Sequence, residues 1–264
     1  MLEIKNLTKV FNKDSAIEDQ KLALDKINFT IDDGDFVIII GSNGSGKSTL
    51  MNMISGVYEP DEGEIIIDGE NITNMKEDKR AIYLGRVFQD PKMGTATNMS
   101  IKENLEIASR RGEKPRLKWG FKKENDVYFK NLLAKLNLGL EDKLTQKVGL
   151  LSGGQRQAIT LLMATLKKPK LLLLDEHTAA LDPKTAKKVL DLTCELIEKE
   201  KITTLMITHN MRDALKYGNR LIMIDNGKII FDVKKEEKKN LTIDNLLQKF
   251  EELNTISDRV LFSN

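Results

Sequence analysis

"FVIIIGSNGSGKSTLMNMISG", residues 36–56, decides the fold. Five consecutive apolar residues read as a strand buried on both faces, and the run breaks at a glycine-rich turn that opens into a helix. Within the turn, Gly41, Ser42, Asn43, Gly44, Ser45, Gly46, Lys47, Ser48 and Thr49 fit the spacing G-x-x-x-x-G-K-[ST]. That spacing lets successive backbone N–H groups curl around phosphate oxygens, sends Lys47 toward the β and γ phosphates and offers the Ser48 hydroxyl to magnesium. Strand, loop and helix stand in the order a phosphate site requires, so ATP and Mg²⁺ are the expected ligands.

A second apolar run, in "LLLLDEHTAALDP" at residues 171–183, ends on two adjacent acids. A buried strand there delivers Asp175 to the same sheet edge, where phosphate-loop enzymes hold magnesium. Glu176, one residue further, lies off the strand end. It is placed either to accept a proton from a water attacking the γ-phosphate or to cap a helix in solvent. Ahead of this strand comes "LSGGQ", Leu151 to Gln155. Ser152 can cap the following helix, Gln155 completes a Ser-x-x-Gln box, and Gly153 and Gly154 leave backbone N–H groups bare at a helix end that attracts phosphate.

The rest of the chain alternates. Residues 2–40 read as strands: "LEIKNLTKVF", "LALDKINFTI" and "DFVIII". "GEIIIDGENI" holds a tight hairpin at "DGE". From about 90 to 150 the pattern is mainly helical, with a Ser-x-x-Glu box opening "SIKENLEIAS" and 3.6-residue spacing in "DVYFKNLLAKLNL". Helix "LSGGQRQAITLLMATL", strand "KLLLLD", helix "DPKTAKKVLDLTCELIEKE", strand "ITTLMIT" and helix "MRDALKYG" follow. Alternation of this kind predicts an α/β fold with a mostly parallel core sheet, a peripheral antiparallel β region and an inserted α-helical subdomain at about 90–165. The tail from 233 to 264, "VKKEEKKNLTIDNLLQKFEELN" and beyond, reads as a charged, solvated turn leading to an amphipathic helix.

Lys and Arg number 42 against 40 Asp and Glu, so no global field selects nucleic acid or an acidic ligand. The single cysteine, Cys194, excludes an internal disulfide and reads as core packing. No run approaches the roughly 18 apolar residues of a membrane span, and the expectation is a soluble, cytoplasmic chain. Residues 110–123, "RRGEKPRLKWGFKK", have Glu113 as their sole acid and carry Trp119 and Phe121 between basic residues. Such a mixture suits a solvated face, an anionic membrane or a nucleic-acid groove.

Taken in this order, the motifs resemble those of the nucleotide-binding subunits of ATP-binding cassette (ABC) transporters, over residues 1 to about 232. The resemblance implies a P-loop ATPase working as a head-to-tail homodimer, or as a dimer with a paralogous ATPase subunit. In that arrangement Ser152, Gly153, Gly154 and Gln155 belong to the partner's ATP site. Gln89 in "RVFQDP" resembles the loop glutamine that senses magnesium and the attacking water. His209 in "MITHN" resembles the switch histidine near the γ-phosphate, and Asp182 in "AALD" the aspartate that couples the two sites. Phe11 in "LTKVF" resembles the aromatic that stacks on adenine. On this resemblance Glu176, His209, Gln89 and Lys47 carry catalysis, and Ser48, Gln89 and Asp175 face the metal. His177 and Ala179 stand where the family commonly has proline and serine.

Integral membrane permease subunits and an extracytoplasmic substrate-binding protein are the partners implied. They place the chain on the cytoplasmic face of the cell membrane as a motor for import. The subgroup resembled most is that of tryptophan and tyrosine, or broader amino-acid, importers. An ABC ATPase acting mechanically on a membrane or assembly partner, without transport, would carry the same motor residues. A nucleic-acid ATPase of the superfamily would bring tandem cassettes or long heptad repeats, and the chain has one cassette and none of those repeats.

Overall fold

The structure, a computed structural model, describes residues 1–113 and 124–249. The chain opens with β1 (Leu2–Phe11), β2 (Lys21–Ile31) and β3 (Phe36–Ile40), then α1 (Lys47–Ser55). β4 (Glu62–Ile67), β5 (Glu70–Asn71), α2 (Glu77–Arg80) and β6 (Leu84–Val87) lead to the helices α3 (Ile101–Ser109), α4 (Glu124–Ala134) and α5 (Gly153–Thr165). β7 (Leu171–Asp175), α6 (Pro183–Glu200), β8 (Thr204–Ile207), α7 (Met211–Lys216), β9 (Arg220–Asp225), β10 (Lys228–Lys234) and α8 (Lys235–Lys239) complete it.

Two sheets result. The antiparallel one runs β2-β1-β4-β5, and the core sheet runs β10-β9-β3-β8-β7-β6. β3 lies between β8 and β9, parallel to both, while β10 returns antiparallel at one edge. Because successive side chains alternate across a strand, a run of apolar residues must fill two cores. Val37 and Ile39 enter the cluster shared with the antiparallel sheet and α1, whereas Phe36, Ile38 and Ile40 enter the one under α6. Leu171 and Leu173 separate from Leu172 and Leu174 in the same way. A third cluster, around Ile101, Leu105, Phe129, Val148 and Ile159, joins α3, α4 and α5.

Two buried arginines lock these layers. Arg220 of β9 grips Asp232 of β10 through both carboxylate oxygens, at 2.7 and 2.6 Å, and also donates to the Thr30 carbonyl on β2. Arg80 of α2 donates to the Met53 and Ile54 carbonyls, placing a cation at the C-terminal end of α1, where the helix dipole favours one.

The expected strands and helices form, with differences that have physical causes. β6, β9, β10 and α2 were not expected. The helix expected over "DVYFKNLLAKLNL" ends at Ala134, because Asn137 and Gly139 take left-handed φ values of 53° and 64°. Leu136 and Leu138 still pack on the helical cluster, so the apolar spacing outlasts the helix. The "solvated turn" of the tail is instead α8: Lys238 is buried and its ammonium donates to the Tyr217 carbonyl and, at 2.8 Å, to Gly218. Of the basic segment, Arg111 is no solvated cation, since it donates to the Ala164 carbonyl at 2.6 Å and to Lys167 at the end of α5. Residues 114–123, with Trp119 and Phe121, and the tail from 250 onward lie outside the described residues. Among the described residues no helix is long and apolar enough to cross a membrane.

Candidate functional site

The loop between β3 and α1 is clamped by both sheets. A Cβ at Gly41 would lie 2.1 Å from the Ile224 carbonyl oxygen on β9, and one at Gly46, whose φ is 107°, would lie 2.5 Å from the Ala23 carbonyl oxygen on β2. Only glycine fits either place. Gly46 starts α1 with no side-chain cap, which leaves first-turn N–H groups available to an anion.

Lys47 is 6% exposed and folds back over the loop. Its ammonium donates to the Gly41 carbonyl at 2.9 Å, the Ser42 carbonyl at 2.7 Å and the Ser45 hydroxyl at 3.4 Å. Burial pushes its pKa below the ordinary lysine value, against the pull of the Glu176 and Asp175 carboxylates. Over the loop lies a pocket of about 190 Å³, lined by residues 43–49 together with Phe11, Lys21, Ala23 and Glu176. Phe11 reaches it from the end of β1 and is held edge-on by Tyr58, with ring centroids 5.4 Å apart.

Two parallel strands deliver the acids and the histidine. Asp175 ends β7, paired with Ile207 of β8, and the Glu176 N–H donates to the Ile207 carbonyl at 3.1 Å. Glu176 takes a φ of 43°, a left-handed turn that lifts it off the strand toward the loop. His209, just past β8, meets it with Nδ1 3.4 Å from Oε2. Asp175 is half-buried, and this pushes its pKa up, opposed by the Arg86 guanidinium, whose terminal nitrogen stands 3.6 Å away. The hard oxygens of Asp175 and Ser48 fit a small divalent cation. Among the described residues no three or more His, Cys, Asp or Glu side chains gather to hold a metal by themselves.

The remaining candidates lie outside this pocket. Ser152 caps α5, its hydroxyl accepting from the Gln155 N–H at 3.3 Å while Gln155 Oε1 accepts from the Ser152 N–H at 3.3 Å. Gly154 is buried, and a Cβ there would lie 2.1 Å from the Thr185 methyl on α6, so the missing side chain lets α5 pack closely on α6. Asp182 caps α6 by accepting from the Thr185 N–H at 3.1 Å. Gln89 is exposed, two residues past Val87 on β6, which pairs with Leu174 beside the Asp175 end. Thus Phe11, the phosphate loop and Glu176 share one pocket, His209 touches Glu176 and Asp175 precedes it in the chain, whereas neither of these two nor Ser152, Gly153, Gly154, Gln155, Asp182 and Gln89 line that pocket.

Sequence reading missed Lys21 and Arg86. Lys21 is placed by its pairing with Phe11 across β1 and β2, a partnership that no local motif announces. His177 is buried behind Glu176, with Nε2 3.2 Å from the Thr193 hydroxyl. That hydroxyl donates to the Val189 carbonyl at 2.7 Å, so it accepts from the imidazole, which is neutral with its proton on Nε2. Burial pushes this histidine down to about 4. Cys194 is buried on α6 and its thiol is pushed up to about 12, which leaves it unreactive.

The ABC transporter family pattern matches residues 24–179, from β2 through the acids to Ala179. A tyrosine transport ATP-binding protein of Clostridioides difficile is 48% identical over 95% of this chain and 99% of its own length. The ADP-bound cassette of an ABC transporter superimposes with a TM-score of 0.77 at 31% identity, covering 95% of this chain and 98% of that one. A dimeric cassette in a post-hydrolysis state, bound to ADP and phosphate, gives 0.73 at 30% identity over 89% and 98%. The chain belongs to the ABC transporter family, as an ATP-binding subunit that hydrolyses ATP.

Proposed function

We propose that this chain is the motor of an ABC importer, two copies closing head to tail around two ATP molecules. One observation carries the reading: Glu176 lines the phosphate pocket, while Ser152 and Gly153 lie outside it at an exposed helix start. Each pocket therefore lacks the donors that the signature supplies, and a second copy brings them.

In the closed state Lys47 would leave the Gly41 and Ser42 carbonyls for the β and γ phosphates. Phe11 would stack on adenine. Glu176 would polarise the attacking water, with His209 steadying its carboxylate and Gln89 approaching from the β6 end. Ser152 and Gly154 of the partner copy would complete the γ-phosphate's surroundings, and Asp182 would join the two sites. Asp175, Ser48 and Gln89 would hold Mg²⁺, which when bound neutralises charge developing on the phosphates. The rest is alignment for in-line attack.

Transport needs a membrane partner. A groove of about 440 Å³ between α3, α5 and β6 exposes Met93 and Ile107, 71% and 54% accessible, beside Phe88 and Gln89's loop. It suits an apolar helix of a permease at the cytoplasmic face. The cassette would span residues 1–232 with its helical subdomain at 90–165, and the tail from 233 would be an appendage. The name of the tyrosine transport relative supports an aromatic amino acid as cargo, and an extracytoplasmic binding protein would deliver it.

Glu176→Gln with Mg-ATP, followed by turnover and by size-exclusion chromatography with light scattering, tests this. Expected are a loss of turnover of at least a hundredfold and a stable ATP-bound dimer, since the variant keeps every binding contact but cannot take a proton. A variant that hydrolyses normally, or stays monomeric with ATP, overturns the reading.

A further inference from the structure

Arg86 belongs to none of the phosphate, acid or signature motifs, yet its side chain on β6 is only 13% exposed and faces Asp175. Its guanidinium is held from α1. One terminal nitrogen donates to the Ser55 hydroxyl at 2.8 Å and the other to Asn52 Oδ1 at 2.7 Å. The nitrogen bound to Asn52 stands 3.6 Å from Asp175 Oδ2, beyond a hydrogen bond. The Phe88 ring supports the cation from one side, 4.6 Å from its centroid. Buried Nε has no partner among the described residues. Asn52, Ser55 and Phe88, rather than the acid, therefore set where this charge sits.

The outcome is a fixed cation beside a carboxylate in a half-buried place, where solvent screens poorly. Lys47 and Glu176 are the other charges acting on Asp175, and Glu77 acts on Arg86. A divalent ion approaching Asp175 by itself meets Arg86, and among the described residues no group of three or more His, Cys, Asp or Glu side chains gathers there to offset the repulsion. An ion arriving on ATP brings phosphate charge with it, and the phosphate oxygens supply the ligands that the protein lacks. We infer that Arg86 bars free divalent cations from Asp175, so that the metal enters this site only with nucleotide. The inference rests on Asp175 being the metal-side carboxylate, as proposed above.

The test is Mn²⁺ titration of the full chain without nucleotide, followed by the electron paramagnetic resonance of free Mn²⁺. Arg86→Gln, which keeps a polar side chain but drops the charge, is expected to bind Mn²⁺ at least tenfold more tightly than wild type. Arg86→Lys is expected to stay as weak as wild type, and Arg86→Gln with Asp175→Asn to lose the gain. Equal Mn²⁺ affinity in wild type and a folded Arg86→Gln overturns the inference. Should Arg86→Gln fail to fold, Asn52→Ala with Ser55→Ala releases the guanidinium onto Asp175. The Mg²⁺ needed for half-maximal ATP turnover is then expected to rise at least threefold, and an unchanged requirement overturns the inference. Asp175→Asn alone separates the two levels: normal Mg²⁺-dependent turnover in that variant would remove the metal-side reading itself, whatever Arg86 does.

Discussion

At the scale of single residues, adjacent positions acquire different chemistry from burial and backbone direction. Asp175 ends a buried strand beside a guanidinium, Glu176 turns through a left-handed φ into the pocket, and His177 turns back into the core. A histidine in that third place is a pH liability. Its folded value is about 4 against an unfolded 6.5, so between those values the unfolded chain binds the extra proton. Folding stability then declines as pH falls through that window and is fully present above 6.5. The shift corresponds to at most about 3 kcal/mol. His177→Gln keeps a donor for Thr193 but cannot titrate. Urea unfolding of the two proteins near neutral pH and at progressively lower pH is expected to show wild type losing stability faster, by up to that amount. Parallel losses would mean that the imidazole is hydrated or already charged.

At the scale of elements, the legible parts were those in which local pattern and burial agree. "FVIII" and "LLLLD" are strands because each fills a core on both faces, and the phosphate loop follows from the end of the first as the two acids do from the end of the second. β6 was not legible: it is four residues long, and Gly85 and Arg86 interrupt its apolar pattern, since one packs closely against the Ala164 carbonyl and the other serves α1 and Asp175. α8 was hidden because Lys238 acts through two carbonyls distant in sequence. Lys21 entered the pocket by cross-strand pairing, which periodicity does not report. Caps, by contrast, are local and were readable. Asp182, followed by Pro183, starts the 18-residue α6 and accepts from the Thr185 N–H. Asp182→Ala is expected to cost about 1 kcal/mol in urea unfolding, and Asp182→Asn only a few tenths. Equal losses in the two variants would show that the carboxylate charge, rather than the cap, stabilises this turn.

At the scale of the whole molecule, the proposed head-to-tail dimer would have each chain hold two halves of different sites. The core presents the loop and Glu176, and the start of α5 presents Ser152 outside that pocket, so on this proposal a second copy must supply the signature. Gly153 and Gly154 sit against Leu181 and the Thr185 methyl, which ties the signature to the segment between Glu176 and α6 within one chain. A composite arrangement of this kind makes two dead variants complementary. Glu176→Gln retains an intact signature, and Ser152→Arg retains an intact loop and acid, so each alone is expected to be inactive. In an equal mixture half the dimers are mixed, and each mixed dimer holds one site with every intact part, so about a quarter of the wild-type sites should recover. Steady-state turnover of the mixture, measured well above the dimerisation concentration, reads this directly. Recovery of that size requires the signature to act in trans. No recovery, from variants that bind ATP and form mixed dimers, would place all the catalytic parts in one chain and end the composite-site reading.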